Sequence, residues 1–182
     1  MSFPLPDFAI IVVGALFGAI IGGFLSALTV LTKEIAGGIL RDLGKLRGRA
    51  ISVQAPRQEA PALQPKGDVL ARSIKITVAW AIVFTIDTAA IVWRVHWLAA
   101  QPVIEARRLD EWDQLFWTVN LTLGPCFVSF IAFQTFKILR TQASRAISIA
   151  LSLAILVAHV AAFCPAMVMT SIIAHFAAGG IE

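Results

Sequence analysis

Ionisable side chains set inside long apolar stretches are the residues of this chain best suited to chemistry. Asp87 stands about eleven residues into the apolar run Ile76–Ala99, with Thr85 and Thr88 beside it and Arg94 two turns further on. His159 stands about twelve residues into Ile147–His175, which suggests a similar depth. Asn120 adds a third polar group in Leu115–Phe136, close to Gly124-Pro125, and Pro165 interrupts the fourth run. Charge in the middle of a bilayer is costly, so such groups are functional candidates by default. A carboxylate and an imidazole that meet can take up and release a proton near neutral pH. Asp87, His159 and Asn120 are therefore the candidates for a proton or cation site. The alternatives are a hydrogen-bonded clamp between helices and two unrelated polar residues that each face a partner.

The elements that would position these groups are four apolar runs: Phe8–Thr32, Ile76–Ala99, Leu115–Phe136 and Ile147–His175. Each reaches the roughly 20 residues that a helix needs to cross about 30 Å of hydrocarbon. None alternates as a barrel strand does. The expected fold is an all-α integral membrane protein, a single membrane domain over residues 1–182 with four transmembrane helices. Apolar residues make up 58% of the chain and mean hydropathy is +0.82, which leaves no room for a separate soluble domain.

Orientation follows from charge. Twelve of the fifteen basic residues lie between the first and second runs or between the third and fourth. The positive-inside rule then places both termini outside and both basic loops in the cytoplasm. A bacterial inner membrane is the simplest setting. Met1–Asp7 lacks a basic n-region, so the first run is expected to be retained as a span. The net charge of +4 reflects this asymmetry and does not suggest nucleic acid as a partner.

The loop 33–75 has two parts. Ile35, Ile39, Leu40, Leu43 and Leu46 fall at helical spacing among charges, which predicts an amphipathic helix. It either extends the first span or lies on anionic headgroups after a break at Gly37-Gly38. Val53–Gly67, with three prolines, reads as a flexible tether. A short polar loop spans about Gln101–Asp113. Trp93, Trp97, Trp112 and Trp117 mark the outer boundary, and Trp80 is expected to mark the inner one as an interfacial anchor.

The first run carries the strongest packing signal. Gly14, Gly18, Gly22 and Ser26 recur every four residues, and Ala15, Ala19, Gly23 and Ala27 form a second row beside them. In lipid, such a smooth face lets helix backbones approach closely. It packs either on another span of the same chain or on another subunit.

Motifs for enzymes and cofactors are lacking. There is no Walker A, G-x-S-x-G, H-E-x-x-H or G-x-G-x-x-G sequence, and tyrosine is absent. Ser129, Ser152 and Ser171 do not align with His159 as nucleophiles would. His159 and His175 are about 24 Å apart along one helix, too far to share a haem iron. No catalytic, cofactor or metal site is expected. Cys126 and Cys164 differ in depth by about 7 Å, which disfavours a disulfide.

The sequence reads as a non-enzymatic accessory or scaffold subunit that packs on neighbouring membrane subunits, or on itself, through the glycine-rich face. The alternative is a homo-oligomeric channel or proton-coupled transporter using Asp87. A transporter should carry a polar stripe on several spans, and by composition the first and fourth are nearly all apolar.

Overall fold

The computed structural model describes residues 6–50, 66–100, 107–140 and 145–179, with side chains except at 46–50, 66, 98, 107–117, 119 and 120. These residues form four helices: α1 (Asp7–Ala50), α2 (Lys66–Ala99), α3 (Arg107–Leu139) and α4 (Arg145–Ala177). All four contain stretches long and apolar enough to cross a membrane. The chain therefore has the form of a multi-pass membrane protein.

The helices run longer than hydropathy suggests. α1 continues through Gly37-Gly38 without a break for 44 residues, about 66 Å. The amphipathic segment from Lys33 onward is thus a continuation of the first span. α2 begins ten residues before Ile76, and α3 begins within the expected polar loop, at Arg107. Hydropathy marks where the chain turns apolar. A helix goes on wherever its charged faces have somewhere to point, and here Arg72 pairs with Asp68 one turn back at 3.0 Å. Asp7 and Asp68 occupy first turns, and His96, Lys137 and His175 last turns, as the helix dipole favours. Most of the expected tether, and residues 101–106 of the polar loop, lie outside the described residues. α3 and α4 continue through Pro125 and Pro165.

Successive helices run antiparallel. α1 and α2 make the closest pair. A Cβ added at Gly22 would lie 2.6 Å from Trp80 Cβ, and one at Gly18 would lie 2.7 Å from the Trp80 carbonyl oxygen and 2.8 Å from Phe84 Cβ. At Gly14 it would collide with Thr88 Oγ1, and Ser26 meets Ser73 hydroxyl to hydroxyl. Each four-residue step along the glycine row meets a four-residue step along Trp80, Phe84 and Thr88. The row is thus an intramolecular seam. Of the two packing alternatives, Gly14, Gly18 and Gly22 take the first, against α2 of the same chain.

The reading of Trp80 as an anchor is corrected. Trp80 is wholly buried and does not serve as an interfacial anchor. The room left by Gly18 and Gly22 admits the indole to the centre of the bundle, where Phe84, Phe127 and Phe163 surround it at ring-centroid distances of 5.7, 5.2 and 5.8 Å. Trp93 and Trp97, by contrast, stand exposed near the end of α2. Leu25, Ile76, Ile131, Ile138 and Met167 complete the main core, and Ile10, Ile91, Val92, Val95 and Ala174 form a smaller one near the termini.

Candidate functional site

Buried polar residues cluster at two levels. At the first, Trp80 Nε1–H donates to His159 Nδ1 at 3.1 Å. An imidazole nitrogen that accepts has no proton of its own, so in this arrangement the neutral ring carries its proton on Nε2. His159 Nε2 is buried and has no hydrogen-bond partner among the described residues. The indole ring also lies 5.9 Å from the imidazole, centroid to centroid.

At the second level, Ser171 Oγ–H donates to Asp87 Oδ2 at 3.0 Å. Asp87 is 2% exposed, and Thr88 and Thr170 flank the pair, buried as well. Both threonine hydroxyls donate to their own helices, Thr88 to the Phe84 carbonyl at 2.6 Å and Thr170 to the Ala166 carbonyl at 2.8 Å. Such back-bonding satisfies a hydroxyl in an apolar setting and leaves it little to offer a ligand. The Asp87 carboxylate is therefore the principal ionisable group at this level.

Asp87 and His159 are both inward-facing, as expected of functional candidates, but they share no hydrogen bond. Seven residues, or about 10 Å, separate Trp80 from Asp87 along α2. Phe84, Phe163 and Met167 lie on the intervening turns of α2 and α4 and are all buried. The expected match in depth fails because α2 starts at Lys66. Lys66 to Trp80 is the same fourteen-residue step as Arg145 to His159, so Trp80 is the residue level with His159. The side chain of Asn120 lies outside the described residues. Arg94 is buried near the end of α2, with its guanidinium carbon 5.1 Å from the centre of the Trp97 ring.

α4 differs from its sequence-based reading in a way that bears on function. Its buried face comprises Ser148, Ser152, Ile155, His159, Phe163, Ala166, Met167, Thr170, Ser171 and Ala174. Half of these are polar, and they line one stripe along the helix. The opposite face shows Leu153, Val157, Val168 and Ile172. Averaged over the whole run the stripe disappears, which is why composition hid it. Helical spacing of its serines and threonines was the available signal. Ser171, unaligned with His159, is the partner of Asp87.

Each end of the bundle closes with polar contacts. Near the termini, Asp7 Oδ1 lies 2.8 Å from His96 Nε2. At the basic end, Arg72 Nε donates to Asp68 at 3.1 Å and Arg72 Nη1 reaches Gln134 Oε1 at 3.4 Å. Cys126 and Cys164 are free thiols on exposed helix faces. Among the described residues, no three His, Cys, Asp or Glu side chains gather as metal ligands would. Comparison with protein-family models, curated proteins and solved structures finds no match for this chain.

Proposed function

We propose that this chain is a non-enzymatic membrane protein that carries a proton or small cation at Asp87, in the manner of a channel or ion-coupled transporter. The observation that carries this reading is a carboxylate buried inside the bundle and held by Ser171. A buried carboxylate is costly to keep in an apolar interior, and ion and proton pathways are where such groups recur. The polar stripe on α4 supports the same reading on one span that composition alone made nearly all apolar. By the placement of its basic residues, the protein lies with both termini outside and its basic segments facing the cytoplasm and anionic lipid, in a bacterial inner membrane.

The test is ion flux in liposomes under an imposed proton or sodium gradient, with wild type, Asp87→Asn and Ser171→Ala compared. Flux in the wild type, lost in a folded Asp87→Asn and weakened in Ser171→Ala, is the expected result. Equal flux in wild type and Asp87→Asn, or none in either, would overturn the reading.

An accessory-subunit reading keeps one observation in its favour. Beside the occupied seam, Ala15, Ala19 and Gly23 are half open, and a Cβ at Gly23 would meet only Thr77 Cγ2, at 4.0 Å. A helix from another subunit could pack against this row. Native mass spectrometry of protein released gently from its own membrane separates the readings. Defined heteromers dissociated by Gly23→Leu would establish the accessory role, and a homo-oligomer or monomer alone would remove it.

A further inference from the structure

A cleft of about 130 Å³ lies between α1 and α4 in the half of the bundle nearest the termini, floored by Gly14, Thr88 and Thr170. Small side chains create it, because Ala174 and Ala177 leave space that larger residues would fill. Its two hydroxyls are already committed, Thr88 to the Phe84 carbonyl and Thr170 to the Ala166 carbonyl. Water entering the cleft would find almost nothing to bond, and apolar cavities of about 150 Å³ stay dry while accepting hydrocarbon.

The rim identifies the occupant. Val13, Phe17 and Ile173 border the cleft and are 55%, 41% and 56% exposed, so it is continuous with the apolar outer surface of α1 and α4. Both helices are long and apolar enough to cross a membrane, and in a bilayer that surface faces acyl chains. One turn beyond Ile10, the half-exposed Asp7–His96 pair marks the polar end, at headgroup level. We propose that this cleft is a lipid site, filled by one acyl chain of a phospholipid from the leaflet on the side of the termini.

The site has a bearing on Asp87. Thr88 and Thr170, which form its floor, directly adjoin Asp87 and Ser171 in sequence. A chain bound there would lie one residue along each helix from the Asp87–Ser171 pair. The lipid site rests on the four helices being membrane spans, and does not require Asp87 to carry ions.

The test uses the full chain in vesicles containing phosphatidylglycerol and phosphatidylethanolamine doped with a phospholipid that bears a diazirine in its acyl chain. Cross-links are mapped by mass spectrometry. Labelling concentrated on Ile10–Phe17 and Ile173–Ala177 is expected, above that on Phe133 and Phe136 of α3, which are exposed elsewhere on the bundle. In Ala177→Phe, which fills the cleft, the excess should fall to the level at Phe133 and Phe136. Ala174→Leu fills it from a deeper position and should act likewise if Ala177→Phe does not fold. Equal labelling at the cleft and on α3, or an excess unchanged in a folded filled variant, would overturn the site. No labelling at either place would instead overturn the membrane placement itself.

Discussion

The two hairpins of the bundle are held together in opposite ways. Between α1 and α2 the contact depends on missing atoms: Gly14, Gly18 and Gly22 bring the backbone of one helix against Thr88, Phe84 and Trp80 of the other. Between α3 and α4 it depends on side chains that reach across. Phe127 stacks on Phe163 at 5.1 Å, and Ser148 Oγ donates to the Leu139 carbonyl at 3.1 Å. A seam of the first kind has no slack, because a single added methyl group meets backbone or Cβ atoms that cannot swing aside. One of the second kind can repack around a change. The comparison explains where the polar residues sit. The glycine seam is too tight to hold a buried ionisable group, and both lie instead between α2 and α4, Asp87 against Ser171 and His159 against Trp80.

That contrast can be broken by mutation. The largest effect belongs to Gly18→Leu, which should push α1 off α2 and destabilise the protein by about 3 kcal/mol or more. Unfolding in mixed micelles measures it, and a loss below about 1 kcal/mol would mean that the seam does not govern stability. Trp80→Phe comes next. It keeps most of the ring but leaves His159 Nδ1 buried without its donor, at a cost of about 1–3 kcal/mol. The imidazole nitrogen resonances should shift with it. An unshifted His159 spectrum would show that the bond is not formed in the membrane.

Phe163→Leu tests the other hairpin and should cost about 1–2 kcal/mol, since a leucine fills much of the same space. A penalty matching that of Gly18→Leu would erase the distinction between the hairpins. Smallest in size but sharpest in sign is the pair of adjacent glycines. Gly22→Ala should destabilise, because its Cβ would lie 2.6 Å from Trp80 Cβ. Gly23→Ala points past the seam and should stabilise by about 0.5–1 kcal/mol through helix propensity alone. Equal effects at the two positions would show that α1 presents a different face to α2.

Four apolar helices were legible from hydropathy, and the glycine spacing announced a close helix contact. Asp87 and His159 were also legible as functional candidates, since an ionisable group in an apolar run is costly, with facing inward or facing a partner both open. What each one touches was not. The stagger of α2 and α4 depends on where the helices begin, and Lys66–Lys75 is helical despite being too charged for an apolar run. Trp80 was misplaced for a related reason. Tryptophan near the end of an apolar run suggests an interface, but the deciding fact was its match, turn for turn, to glycines on another helix. That match was present in the spacing of Trp80, Phe84 and Thr88, and becomes informative only once α1 and α2 are paired in the right register.

The glycine row at the seam fixes the rotation of α1 about its own axis. Turning it by one residue, about 100°, in one sense replaces Gly14, Gly18 and Gly22 at the seam with Val13, Phe17 and Ile21. These cannot fit against Trp80 and Phe84. The opposite turn presents Ala15, Ala19 and Gly23, which differ from the resting row by two methyl groups. Two methyl groups are already too many for a seam without slack, so α1 is held against rotation in both senses. Because the helix is unbroken to Ala50, its basic end shares the rotation set at the turn that packs on Thr88, beside Asp87.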